Sequence, residues 1–105
     1  MSNRQYEWDE NKNQSNLVKH GITLEAATAI FKDPLLYEFH DVKHSGYNKY
    51  GEWEDRYIAI GWLNRILYVV YAVCKQGDTE IYRMISARKA NSSEKKLYED
   101  WCKNC

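Results

Sequence analysis

Little in this 105-residue chain points to bulk charge, a membrane or a covalent framework. Fifteen basic side chains cancel fifteen acidic ones, which excludes a polybasic protein that grips nucleic acid by charge alone; any polyanion must be met by a local cluster. The longest apolar run, Ile66 to Cys74, is about half of what a membrane-spanning helix requires. Residues 1–5 lack the apolar core of a signal peptide, so a cytoplasmic protein without membrane association is expected. Three cysteines, an odd number in a reducing compartment, give no disulfide framework. The Cys102–Cys105 pair is only half of a zinc site, and it stands where a redox motif would not. There is no repeat, no low-complexity tract and no Gly/Ser/Pro linker, so residues 1–105 are read as one domain. The GxGxxG, P-loop, GxSxG and HExxH signatures are missing.

What is present is a hydrophobic share of 44%, enough to bury a core, together with four Trp and nine Tyr. These aromatics combine large apolar bodies with polar tips, suited to a small core, an interface or stacking on bases. Arginine is concentrated late in the chain: Arg56, Arg65, Arg83 and Arg88 all lie beyond residue 52.

The element pattern predicts an α+β fold. Gln5–Trp8 alternates as a short strand, and Asp9 and Gly21 bracket a helix over Glu10–His20. Thr23 caps a second helix with Leu24, Ala27, Ile30 and Phe31 at helical spacing, ended by Asp33-Pro34. Leu35–His40 reads as a strand and Asp41–Glu52 as a loop. Trp53–Trp62, Arg65–Cys74 and Thr79–Arg88 form an antiparallel meander joined by short linkers. Asn91 with Glu94 marks a capping box opening a final helix to about Trp101.

Three groups of residues carry possible chemistry. Lys12, Asn16 and Lys19 share one helix face with His20 beside them, a stripe that could hold phosphates or simply face solvent. Arg56 alternates with Ile58 and Ile60, and Arg83 with Ile81 and Ile85, whereas Arg88 falls on the opposite parity. An arginine in register with isoleucines needs a partner. Arg83 therefore either pairs with a carboxylate such as Glu54 or Asp55, or marks where a sheet face opens into a polar cleft. Guanidinium groups suit phosphate because they offer fixed, bidentate donors with permanent charge. His40 and His44 are four apart, but at a strand end and in a loop that spacing has no metal-binding meaning, and no metal site is expected.

The motifs Trp8-Asp9-x-x-Lys12-x-x-x-Asn16-x-x-Lys19-His20-Gly21, Glu54-x-Arg56-x-x-x-Ile60-Gly61 and Arg83-x-Ile85-Ser86-Ala87-Arg88-x-Ala90-x-x-x-Glu94-x-x-x-Tyr98, in that order, resemble the BrnT-type toxins. The likeness runs from about Tyr6 to Tyr98. It implies a small RelE-like α+β fold and a ribonuclease toxin of a type II toxin–antitoxin module that needs no metal or other cofactor. The implied partners are an RNA substrate and a BrnA-like antitoxin of ribbon-helix-helix type, with operator DNA reached only through the antitoxin. Metal-free cleavage through the RNA 2′-OH requires a proton acceptor, charge stabilisation and a proton donor. His20 is the imidazole of the matched motifs and is expected as acid or base. Arg56 and Arg83 are expected to clamp the phosphate, with Lys12, Lys19 and Arg88 as further RNA contacts. The competing readings are a non-catalytic protein-binding module, with its arginines in structural ion pairs, and a degenerate toxin that only binds its antitoxin.

Overall fold

The computed structural model of the chain describes residues 3–104, the side chains of Asn3 and Gln76 excepted. Cys105, and with it the terminal cysteine pair, lies outside the described residues. The elements are β1 (Asn3–Glu7), α1 (Glu10–His20), α2 (Leu24–Ala27) continued by a 3-10 turn (Thr28–Lys32), β2 (Tyr37–His40), a second 3-10 turn (Val42–His44), β3 (Gly46–Tyr47), β4 (Trp53–Trp62), β5 (Ile66–Gln76), β6 (Thr79–Lys89) and α3 (Ser92–Lys103).

Local signals set the helix ends. The Asp9 carboxylate accepts from the Lys12 N–H at 3.1 Å, and Gly21, at φ 72°, turns the chain out of α1 while donating to the Leu17 carbonyl. Asn91 and Glu94 form the expected reciprocal cap of α3, which runs two residues past Trp101. The second predicted helix is a single α turn that tightens into 3-10 geometry. There the Thr28 hydroxyl donates to the Glu25 carbonyl at 2.7 Å, competing with the α pattern.

The sheet order is β1-β6-β5-β4-β2, with β3 paired to β4 outside that path. The three long strands form the expected antiparallel meander, but β1 adds in parallel beside β6, so the sheet is mixed. Leu35 precedes β2 rather than opening it, and the expected loop over Asp41–Glu52 contains the second 3-10 turn and β3.

Strand alternation gives the sheet two buried faces. Ala59, Leu67, Val69, Tyr71, Tyr82 and Met84 meet Leu24, Ala27 and Ile30 on one side. Ile58, Ile60, Tyr68 and Val70 meet Tyr98 and Cys102 of α3 on the other. Asp33 ties these layers, accepting from the Tyr98 hydroxyl at 2.6 Å and from the Trp62 N–H at 3.0 Å. Among the described residues no helix is long and apolar enough to cross a membrane.

Two expectations are corrected here. The register between β5 and β6 shifts between Val70 and Tyr71, which pair with Ser86 and Met84, leaving Ile85 as a bulge residue. Strict alternation breaks there, so Met84 and Ala87 both enter the first core and Arg88 reaches the second face, as Arg83 does, rather than the opposite one. The stripe on α1 is also divided. Asn16 is buried: its amide donates to the carbonyls of Ala87 and Ile22 at 2.8 Å and accepts from the Ala87 N–H at 3.1 Å. β1 pairs with β6 only as far as Arg83, so beyond it Asn16 satisfies the strand edge in place of another strand.

Candidate functional site

One row of the sheet runs Arg56, Ala72, Arg83, Glu7 across β4, β5, β6 and β1. Arg56 and Arg83 are therefore two strands apart on one face, about 10 Å between backbones, with a fully buried alanine between them. α3 and its apolar cluster cover the other end of this face around Ile60 and Tyr68. The arginine end opens into a cleft of about 530 Å³, walled by the start of α1 and by the segment from His44 to Tyr50.

The two arginines are held differently. The Arg83 guanidinium bonds the Glu54 carboxylate at 2.5 Å, and the other Glu54 oxygen accepts from the Asn48 amide at 2.9 Å. The Arg83 hydrogen bond holds Glu54 below the usual carboxylate range, against the opposing effect of burial. Both sequence readings of Arg83 are thus realised at once, since it pairs with Glu54 and lines the cleft. The Arg56 side chain makes no hydrogen bond or ion pair among the described residues, although its charge reaches Glu54. Its backbone N–H is fixed by the Ser45 hydroxyl at 2.8 Å.

The segment opposite carries the remaining chemistry. His44 Nδ1 lies 2.8 Å from an Asp41 carboxylate oxygen. A carboxylate there assigns the neutral ring's proton to Nδ1 and leaves Nε2 as an acceptor. Asn48 shapes the turn that follows, its side-chain oxygen accepting from the N–H groups of Tyr50 and Glu52. Tyr47 and Tyr50 stand 77% and 74% exposed at the cleft, and Lys49 and Lys12 add positive charge to its wall. Asp9 and Glu54 supply its acidic groups. Among the described residues no three His, Cys, Asp or Glu side chains are grouped to hold a metal ion.

The expected site residues separate. Arg56, Arg83 and Lys12 meet in the cleft, whereas His20, at the far end of α1, lines a different cavity with Arg65 and Lys89. The anticipated convergence of His20 with the two arginines is therefore absent: α1 places Lys12 and His20 about 12 Å apart along its axis. Arg88 is engaged by both oxygens of Glu94, at 2.7 and 2.8 Å, and lies over the Tyr68 ring outside the cleft. Lys19 is exposed in the last turn of α1 and lines neither cavity. The sequence reading weighed His44 only as a metal ligand and set it aside, and it missed Asp41 and Asn48 and their exposed neighbours Tyr47, Lys49 and Tyr50. Their only signal was two Lys and two Tyr close together in a stretch taken for a loop.

A search of curated proteins gives no match to the chain. A family model described as "Ribonuclease toxin, BrnT, of type II toxin-antitoxin system" matches residues 8–94, which hold every residue of the cleft. By that match the chain belongs to the BrnT family of type II ribonuclease toxins.

Proposed function

We propose that the cleft between Lys12, His44, Arg56 and Arg83 cuts RNA by attack of a substrate 2′-OH on its own adjacent phosphate, without a metal ion. The observation that carries this reading is that His44, whose ring contacts Asp41, lines the same cleft as an unpaired guanidinium. His44 Nε2 takes the 2′-OH proton as the 2′ oxygen bonds to phosphorus. The bond from phosphorus to the 5′ oxygen then breaks, leaving a 2′,3′-cyclic phosphate, and the departing oxygen receives a proton from the imidazolium or from solvent. Arg56 binds the phosphate directly, and Arg83, held in orientation by Glu54, stabilises the charge that builds on it. Lys12 and Lys49 neutralise neighbouring phosphates. The proton-transfer role expected of His20 passes to His44 on grounds of position.

The family supports an antitoxin partner. We place a BrnA-like ribbon-helix-helix protein in that role, with operator DNA reached through it and the cytoplasm as the site of action. The test is cleavage of RNA by purified His44→Ala and Arg56→Ala proteins in the presence of a chelator. Losses of about a hundredfold or more, with unchanged circular dichroism, and no cleavage of RNA lacking the 2′-OH are expected. A folded double variant that cuts at the original rate overturns the assignment.

The Arg83–Glu54 and Arg88–Glu94 pairs favour a second reading, a domain that binds its antitoxin but has no activity. Expression of the chain alone separates the two. Growth arrest relieved by the antitoxin supports the nuclease, and normal growth supports the binding domain.

A further inference from the structure

We propose that the cavity at the far end of α1 binds one nucleotide of the RNA strand, outside the cleavage cleft. The inference rests on the RNA-cutting reading of that cleft but concerns different residues. The cavity, of about 190 Å³, lies where the end of α1 meets the β4–β5 turn and the end of β6. This is below the roughly 300–1,000 Å³ of pockets for larger ligands, and it suits a single base. Its floor is apolar, from Ile22, Leu63 and Leu67, and its rim carries His20, Arg65 and Lys89.

Three features point to a nucleotide. The rim groups come from three separate elements, and no acidic residue lines the cavity. None of the three side chains makes a hydrogen bond or ion pair among the described residues, in contrast to Arg83, Arg88 and Lys96. Grouping like charges without an acid is unfavourable in the free protein and favours an anion between them. His20, in the last turn of α1, also offsets the helix dipole. Arg65, in the β4–β5 turn, and Lys89, at the end of β6, are not explained that way. An apolar floor beside a cationic rim matches a base attached to its phosphate better than it matches a free inorganic ion.

The spacing is also suitable. Lys12 marks the cleft and His20 the cavity, about 12 Å apart along α1. A few nucleotides bridge that distance at roughly 3.4 Å or more each. In the β4–β5 turn Asn64 has φ 58° and the Leu63 N–H donates to the Arg65 carbonyl at 2.8 Å, so the backbone that carries Arg65 is held by the fold itself.

The test pairs a ligand titration with kinetics on the full chain. Uridine and adenosine 5′-monophosphates are expected to shift the His20 ring resonances saturably in proton NMR. Arg65→Glu/Lys89→Glu is expected to abolish that shift. With an octanucleotide substrate the same variant should raise KM about tenfold and leave kcat unchanged. Arg65→Gln/Lys89→Gln, which adds no new charge, should give a smaller change of the same sign and serves if the reversal disturbs folding. An unmoved His20 resonance, or an unchanged KM, overturns the proposal. So does a loss confined to antitoxin affinity, which would assign the cavity to the protein partner. If the wild-type chain cuts no RNA, the cleft reading fails, and the nucleotide titration still decides the cavity.

Discussion

Arg83 joins a structural ion pair to a place on the cleft wall. Its partner Glu54 is buried, and the pair is kept in register by Asn48 on the adjoining turn. Glu54 titrates below its ordinary range because Arg83 bonds the ionised form. Its contribution to stability is therefore complete above about pH 4.3 and is lost as the pH falls through the lower folded value. Acid unfolding followed by tryptophan fluorescence should accordingly be shallower for Glu54→Gln than for the wild type. Arg83→Met should cost on the order of 1–2 kcal/mol in urea unfolding, a moderate figure because the guanidinium, 38% exposed, remains screened by water. At the proposed base, Asp41→Asn keeps the shape of the His44 contact while removing the charge that sets its tautomer. A fall of tenfold or more in kcat with little change in KM is expected; an unchanged kcat would show that Asp41 does not orient the ring.

Among the elements, α1 is the one whose role differs most from its appearance. Its sequence is polar almost throughout, yet Asn13 and Asn16 are buried. The Asn13 side-chain oxygen accepts from the Leu24 N–H at 2.7 Å, fastening the start of α2, and Asn16 completes the edge of β6. Asn16→Ala would leave the Ala87 N–H and carbonyl buried without partners. It should destabilise the fold by about 2–3 kcal/mol in urea denaturation. Beside the 3-10 turn, Gly61 lets Leu36 and Ile30 approach the strand too closely for a methyl group to fit. A Cβ there would lie 2.7 Å from Leu36 Cδ1 and 3.1 Å from Ile30 Cβ. The Leu36 terminus can move, but the Ile30 Cβ is fixed to its backbone, so Gly61→Ala should lower stability by about 1–3 kcal/mol.

Over the whole molecule, neutrality hides an uneven distribution of charge. Three of the acids are engaged by Lys or Arg side chains, Glu54 by Arg83, Glu94 by Arg88 and Asp100 by Lys96. Of the cations without ion-pair partners among the described residues, Lys12, Lys49 and Arg56 line the cleft and Arg65 and Lys89 line the far cavity. Affinity for uncleavable RNA should therefore fall with salt at a limited slope in a log–log plot. About −2 is expected if only the three cleft cations meet phosphates, and about −3.5 if all five do. A slope much steeper than −4 would require phosphate contacts elsewhere on the surface.

Caps, the extents of α1 and α3 and the three long strands were legible in the sequence, because each depends on neighbours within a few positions. Asp9, Gly21 and the Asn91–Glu94 box act locally, and Trp53–Trp62 alternates as a half-buried strand must. The ordered motifs also sufficed to suggest the family. Tertiary structure decided what local pattern could not encode. The Ile85 bulge reverses the parity that had separated Arg88 from Arg83, and the parallel addition of β1 sets Glu7 beside Arg83. Above all, which imidazole lies near the arginines is a question of which end of α1 meets which edge of the sheet. His20 carries the motif, but His44 shares the cleft with the arginines, because register across three strands brings together residues that sequence spacing keeps apart.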